Sequence, residues 1–241
     1  MSFLTAEWRK LAFANYEIDP DILAPYVPFG TELDFWNNRC YASLVGFMFM
    51  NTRLLGIRVP FHVNFEEVNL RFYVRRLEKG EWKRGVVFVK EIVPKRALAF
   101  VANTFYGEKY ATMPMTHQWQ QIGPDLTVDY RWNPGPEWQS FRMTTTLEPS
   151  DISPGSEEEF ITEHYWGYAK VNDALTNEYQ VTHPKWKKYD VLDYEIKADF
   201  ELLYGKGFRS MNSQQPRSVM LAEGSAITIE SKRTIRPPLG R

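Results

Sequence analysis

Between Val63 and Arg75 the chain alternates: Val68, Leu70, Phe72 and Val74 fall on one side of an extended strand, and Glu67, Asn69, Arg71, Tyr73 and Arg75 on the other. Lys79-Gly80-Glu81 turns the chain, and the Val-rich run from Gly85 to Val93 is suited to pair with the strand before it, which predicts a hairpin. Upstream, Trp8 to Ile18 reads as a short extended or mixed element, and Asp19-Pro20 opens a brief helical turn that ends near Pro25 and Pro28. Glu32 to Trp36 and Cys40 to Met50 flank Asn37-Asn38, a pair that tolerates positive φ and so predicts another hairpin. Pro94 stands where a helix begins, and Ala97, Phe100, Val101, Thr104 and Phe105 keep a helical period up to Gly107.

Further along, Tyr110 to Trp119, Leu126 to Trp132 and Gln139 to Leu147 predict three strands, the last two joined by Asn133-Pro134-Gly135-Pro136. Ser156 followed by Glu159 is a capping box, in which each side chain satisfies an orphan backbone donor, and it predicts a helix through Phe160, His164 and Tyr165. Tyr179 to His183, Val191 to Leu203 and Ser218 to Ile229 read as the remaining strands. Many strands with two or three short helices predict a mainly β (α+β) architecture, an antiparallel barrel or strongly curved sheet. No linker-like stretch divides the 241 residues, so a single domain over residues 1–241 is expected.

Charge and cysteine content narrow the partners. With 29 Lys and Arg against 30 Asp and Glu, the balance gives no electrostatic reason to expect nucleic acid or an anionic membrane. Lys232, Arg233, Arg236 and Arg241 read as a solvated basic end. The one cysteine, Cys40, leaves no internal disulfide and no multi-cysteine metal site, which fits a reducing compartment, and beside Arg39 it reads as a small strand residue. No charged-then-apolar leader is seen and no apolar run approaches the roughly 20 residues that span a bilayer, so a cytoplasmic location is expected.

The row Glu67-x-Asn69-x-Arg71-x-Tyr73 carries the most chemistry. Facing a concavity, it would let Arg71 fork onto a carboxylate while Glu67 transfers protons; facing solvent, it would be a row of cross-strand ion pairs. The four histidines, at positions 62, 117, 164 and 183, do not pair at zinc-site spacings, so no metal site is expected. His164 with Tyr165, and His183 with Trp186, either line a pocket or serve helix docking and a turn. Lys109 is a candidate Schiff-base amine, but its neighbour Glu108 favours the charged ammonium unless the fold turns that carboxylate away. No G-x-S-x-G elbow, P-loop, dinucleotide fingerprint or H-E-x-x-H occurs.

Read end to end, the chain resembles the YqjF-like family, a widespread bacterial set built on a domain of unknown function. The resemblance is carried by Trp8-Arg9-Lys10-Leu11 with Asp19-Pro20 and Pro28, by Phe65-Glu66-Glu67-Val68-Asn69-Leu70-Arg71-Phe72-Tyr73-Val74, and by Gly85-Val86-Val87-Phe88. Phe160-Ile161-Thr162-Glu163-His164-Tyr165 and His183-Pro184-Lys185-Trp186 complete it. It implies the acetoacetate-decarboxylase-like fold, a cone-shaped, largely antiparallel β barrel with a polar pocket inside, an inward aim for Glu67, Asn69 and Arg71, and homo-oligomerisation. It also exposes a departure. The decarboxylases carry two adjacent lysines after a Gly-x-Pro turn, where this chain has Gly107-Glu108-Lys109-Tyr110, and the Leu-Pro-Tyr of many YqjF-like sequences would set Tyr110 opposite the nucleophilic lysine. The paired-cation device that lowers a lysine pKa is thus missing, a device for which acetoacetate decarboxylase is itself the standard example.

The expectation is a site for a small carboxylate or keto compound with no cofactor, in which Glu67 and Tyr110 are acid/base groups. Arg71 would bind the ligand, with Asn69, Tyr73, His164, Tyr165, His183 and Trp186 around it. Were it catalytic, a lyase or hydrolase would follow. The alternatives are a Schiff-base lyase using Lys109 and a non-catalytic binding or assembly module.

Overall fold

β-Branched and aromatic residues at period two pack well on a pleated, half-buried surface. The computed structural model, which describes residues 2–105 and 107–237, is built mainly from such runs, with far more strand than helix. In chain order the strands are β1 (Ser2–Glu17), β2 (Glu32–Leu33), β3 (Tyr41–Leu54), β4 (Phe65–Glu78), β5 (Glu81–Val93), β6 (Tyr110–Thr112), β7 (Met115–Ile122) and β8 (Asp125–Trp132). They continue with β9 (Gln139–Thr146), β10 (Ser150–Asp151), β11 (Trp166–Asn172), β12 (Leu175–Thr182), β13 (Lys187–Tyr189), β14 (Val191–Lys197), β15 (Ser218–Glu230) and β16 (Arg233–Ile235). The helices are short: α1 (Pro20–Leu23), α2 (Arg96–Phe105), α3 (Glu157–Thr162) and α4 (Phe200–Tyr204), with 3₁₀ turns at Ala24–Tyr26 and Lys206–Asn212. Among the described residues no helix is long and apolar enough to cross a membrane. Arg241 lies outside the described residues.

In the larger sheet β15, β1, β3, β4 and β5 are successive antiparallel neighbours. β11 joins β5, β12 pairs with β11, and Val181↔Ile229 with Thr182↔Thr228 bring β12 back onto β15. The pairing path therefore returns to its first strand. Two of its pairings, β5–β11 and β5–β6, are parallel, which departs from the antiparallel expectation. After β5 the chain travels back through α2 before β6 begins, and such a crossover lets the next strand run in the same direction. The smaller sheet, ordered β14-β9-β8-β7, packs Val128, Tyr130, Trp132, Phe141 and Met143 into the cluster that holds Leu44, Val68, Leu70 and Phe72 of the larger one.

Several expected elements differ for local reasons. Asn37 and Asn38 both adopt positive φ and close a Trp36↔Arg39 bridge, but β2 pairs with β4 and not with β3, whose two edges are already taken by β1 and β4. The run Tyr110 to Trp119 breaks at Pro114, which has no N–H for the ladder, and its halves enter different sheets. Ser156 Oγ accepts from Glu159 N at 3.2 Å as the capping box requires, whereas the Glu159 carboxylate takes Gly155 N at 2.7 Å. That helix stops at Thr162, so His164 and Tyr165 follow it, and the unanticipated β11 starts at Trp166. Val191 to Leu203 is strand only to Lys197, because Asp199 caps α4 by accepting Leu202 N at 3.0 Å.

Candidate functional site

The two faces of β4 are both buried. Val68, Leu70, Phe72 and Val74 enter the inter-sheet core, and Glu67, Asn69 and Arg71 on the other face are only 2%, 1% and 7% exposed. These three line a cavity of about 60 Å³ together with Glu91, Tyr110, Tyr179, His164, His183 and Trp186. A single water needs roughly 10–15 Å³ by the same kind of measure, so the space suits a small molecule.

Arg71 dominates its electrostatics. Its Nε is buried without a hydrogen-bond partner, no carboxylate pairs with it among the described residues, and its guanidinium carbon lies 5.0 Å from the Phe13 ring centroid and 5.8 Å from that of Tyr73. Nine buried side-chain polar atoms lack a partner among the described residues, and five of them belong to residues lining this cavity: Trp8 Nε1, Asn69 Oδ1, Arg71 Nε, Glu91 Oε2 and His164 Nδ1. Unmet polar atoms are rare in a folded interior, and their concentration at one hollow points to a group that would satisfy them.

Around this cavity and the space adjoining it stand three carboxyls and two phenols. Glu67 accepts from Asn69 Nδ2 at 2.8 Å and from the Tyr110 hydroxyl at 3.1 Å; Glu108 accepts from the Tyr179 hydroxyl at 2.7 Å. Burial raises Glu67 to about 7, opposed by its bonds to Asn69 and Tyr110, with the Glu108 charge adding to the rise and Arg71 working against it. Burial likewise lifts Glu108 to about 7 against its Tyr179 bond and the Lys109 charge. Glu91 goes well above the carboxylate range, through burial and then the charges of Glu108 and Glu67. Tyr110 and Tyr179 are both pushed well above the usual tyrosine value, first by burial and then by these carboxylates. Carboxyls raised to about 7, as Glu67 and Glu108 are, exchange protons near neutrality, as general acid–base work requires.

A second, larger chamber of about 180 Å³ shares Phe49, Glu91, Tyr110, Tyr179 and Ile229 with the first. Its remaining wall is largely apolar and includes Phe3, Leu4, Leu54, Val59 and Phe65.

Of the residues singled out in the sequence, Glu67, Asn69, Arg71, Tyr110, His164, His183 and Trp186 meet at the cavity, and Tyr73, Tyr165 and Lys109 do not line it. The Tyr73 hydroxyl is 2.7 Å from Ser43 Oγ, and its ring packs 4.7 Å from His164. Tyr165 donates to Glu163 at 2.6 Å and supports the His183 ring from behind at 4.7 Å. His183 stacks on Trp186 at 4.2 Å, and its Nδ1 lies 2.9 Å from the Pro184 carbonyl oxygen; since that oxygen only accepts, Nδ1 carries a proton. Burial drives His164 down to about 4 despite its 3.3 Å contact with Asp34, a carboxylate also held by Arg84 at 2.7 Å. His164 is thus neutral at pH 7.

Lys109 is exposed, with Nζ 4.8 Å from the centroid of the Tyr26 ring. Desolvation and the Lys170 charge lower its pKa and Glu108 opposes them, yet the Glu108 carboxylate itself turns to Tyr179. Among the described residues no lysine lines either cavity.

Sequence reasoning missed Glu91, Glu108 and Tyr179 as pocket residues. Glu91 was legible in part, as an acid inside a Val-rich strand, and in the structure it is the cross-strand partner of Asn69. Glu108 and Tyr179 carry no local signal, because a contact between residues 71 positions apart is set by the sheet.

Solved structures place this architecture. It matches acetoacetate decarboxylase from Legionella pneumophila subsp. pneumophila str. Philadelphia 1 with a TM-score of 0.64 at 13% identity, covering 96% of this chain and 86% of that one. It matches the enduracididine biosynthesis enzyme MppR, complexed with pyruvate, with a TM-score of 0.66 at 11% identity, over 97% and 91% of the two chains. An acetoacetate decarboxylase-like enzyme from Sphingomonas wittichii RW1 gives 0.64 at 11% identity over 98% and 94%. The fold is therefore of the acetoacetate-decarboxylase-like type. Within that class the chain belongs to the YqjF-like DUF2071 family of uncharacterized conserved proteins, which it matches over residues 5–226. It is 35% identical over 104 residues to the uncharacterized protein YqjF of Bacillus subtilis (strain 168), a stretch that spans 43% of this chain and 41% of YqjF.

Proposed function

We propose that the returning ring of strands forms a cone-shaped barrel around a site for a small carboxylate or 2-oxo acid, with Arg71 as the anion-binding residue. The observation that carries this reading is the buried, unpaired Arg71 guanidinium at the edge of a polar cavity. A buried charge without a partner is strongly destabilising, and a ligand carboxylate supplies the missing counter-ion through a two-pronged hydrogen bond. Glu67 and Tyr110, bonded to each other, stand to give a proton to the bound ligand or, once Glu67 ionises, to take one from it. Asn69 orients Glu67, and His164, His183 and Trp186 shape the wall. The MppR structure holding pyruvate supports this ligand class on the same fold. Schiff-base chemistry by Lys109 loses support because the amine lies against Tyr26, outside the cavity lining.

A thermal-shift screen of small carboxylates and 2-oxo acids tests the reading. A ligand at a hundredfold its Kd stabilises by about 2.7 kcal/mol, which for a chain of this size is a rise of roughly 5–10 °C in Tm. Pyruvate or acetoacetate is expected to give such a rise and the corresponding primary alcohols none. Unchanged melting across the whole panel would reject the site.

A further inference from the structure

The larger chamber has no arginine or lysine in its described lining to hold a carboxylate. It is about three times the size of the Arg71 cavity, at about 180 Å³ against about 60 Å³. Its wall comes mainly from Phe3 and Leu4 at the start of β1, Leu54 at the end of β3, Val59 of the loop between β3 and β4 and Phe65 at the start of β4, with Thr52, His62 and Glu108 as its further polar members. The shared wall of Glu91, Tyr110 and Tyr179 makes the two spaces neighbours across the proton-bearing groups. The loop that carries Val59 and His62 into the chamber also presents Leu55, Ile57 and Phe61 to solvent at 62%, 68% and 88% exposure, so the apolar character continues outward from the wall. Apolar surface of this extent beside a cavity that holds a buried guanidinium is what an amphiphilic ligand uses and a wholly polar one leaves in contact with water.

We propose that the natural ligand is a 2-oxo or simple carboxylic acid bearing an apolar chain, its carboxylate on Arg71 and its alkyl part in the chamber lined by Leu4, Leu54, Phe65 and Ile229. This rests on the reading of Arg71 as the carboxylate site and adds the substrate class. The carbon next to the head group then lies beside Glu67 and Tyr110, and the length of the chain sets affinity.

Calorimetric titration of the full chain with pyruvate, 2-oxobutanoate, 2-oxohexanoate and 2-oxooctanoate tests this. Burial of each added methylene is expected to tighten binding about fourfold until the chamber is filled, so that 2-oxohexanoate binds at least tenfold tighter than pyruvate. Leu54→Trp, which fills the chamber from β3, is expected to bring the ratio of those two affinities toward one. Pyruvate binding with an affinity that stays flat or weakens along the series would overturn the chamber proposal and leave the Arg71 site standing. A steep series whose ratio is unaltered in Leu54→Trp would place the chain elsewhere and overturn it too. Failure of every acid to bind would remove the Arg71 reading and this one with it.

Discussion

A guanidinium buried without a counter-ion destabilises the fold that holds it, and a carboxyl buried beside other carboxyls does the same when ionised. Arg71 and Glu67 sit four residues apart on one strand face, with Asn69 between them, in these two situations. The Glu67 carboxyl titrates at about 7 in the fold, against 4.5 for an ordinary glutamate. Between those pH values the folded chain keeps a proton that the unfolded chain releases, so this part of the stability is present below pH 4.5 and lost as pH rises through 7. Glu67→Gln imitates the protonated acid at every pH. From pH 5 to pH 8 the wild-type Tm is therefore expected to fall about 5 °C further than that of the variant, on the order of 2 kcal/mol. Parallel melting curves across that range would mean that Glu67 ionises as an exposed acid does. At this scale the sequence was informative where chemistry and period coincide, as in Glu67, Asn69 and Arg71. It was silent on Glu108, because the carboxylate that appeared to compete with Lys109 lies bonded to Tyr179 on another strand.

Elements were legible where one strand explains its own pattern. The hairpin of β4 and β5, the strands β8, β9 and β15 and the start of α3 follow from alternation, turns and a cap. What could not be read is pairing. β11 was hidden because the run after the Ser156 cap looks helical through Tyr165, yet its place beside β5 completes the ring. That seam depends on Gly85, whose missing side chain admits the Trp166 backbone: a Cβ there would stand 2.5 Å from the Trp166 carbonyl oxygen and 2.6 Å from the Tyr168 ring. Neither atom is the free end of a flexible side chain. Gly85→Ala is accordingly expected to destabilise by about 1–3 kcal/mol, the usual range for overpacking, or several degrees in Tm. A variant that melts with the wild type would show that β5 and β11 are not in this register.

For the whole molecule, the two sheets and the buried charge pattern form one device. Two sheets share a core on the even face of β4, and this leaves the odd face free to hold Glu67, Asn69 and Arg71 in a buried row beside Glu91 and Tyr179. On the reading of Arg71 as the anion-binding residue, the stability lost by burying its charge would be recovered when a ligand carboxylate neutralises it, which would link binding to folding. Arg71→Met roughly keeps the volume and removes a buried charge that has no counter-ion, whose burial is itself destabilising. The most direct measurement is a calorimetric titration of pyruvate into the wild-type chain and into Arg71→Met, with Tm recorded for both. The expected result is one pyruvate per chain in the wild type, affinity reduced at least tenfold in the variant, in line with loss of charge-assisted hydrogen bonds worth about 1.5–3 kcal/mol, and a variant Tm equal to or above that of the wild type. Equal affinity in the two proteins, or a variant that binds nothing because it has unfolded at the temperature of the titration, would contradict the assignment of Arg71 as a ligand-binding charge.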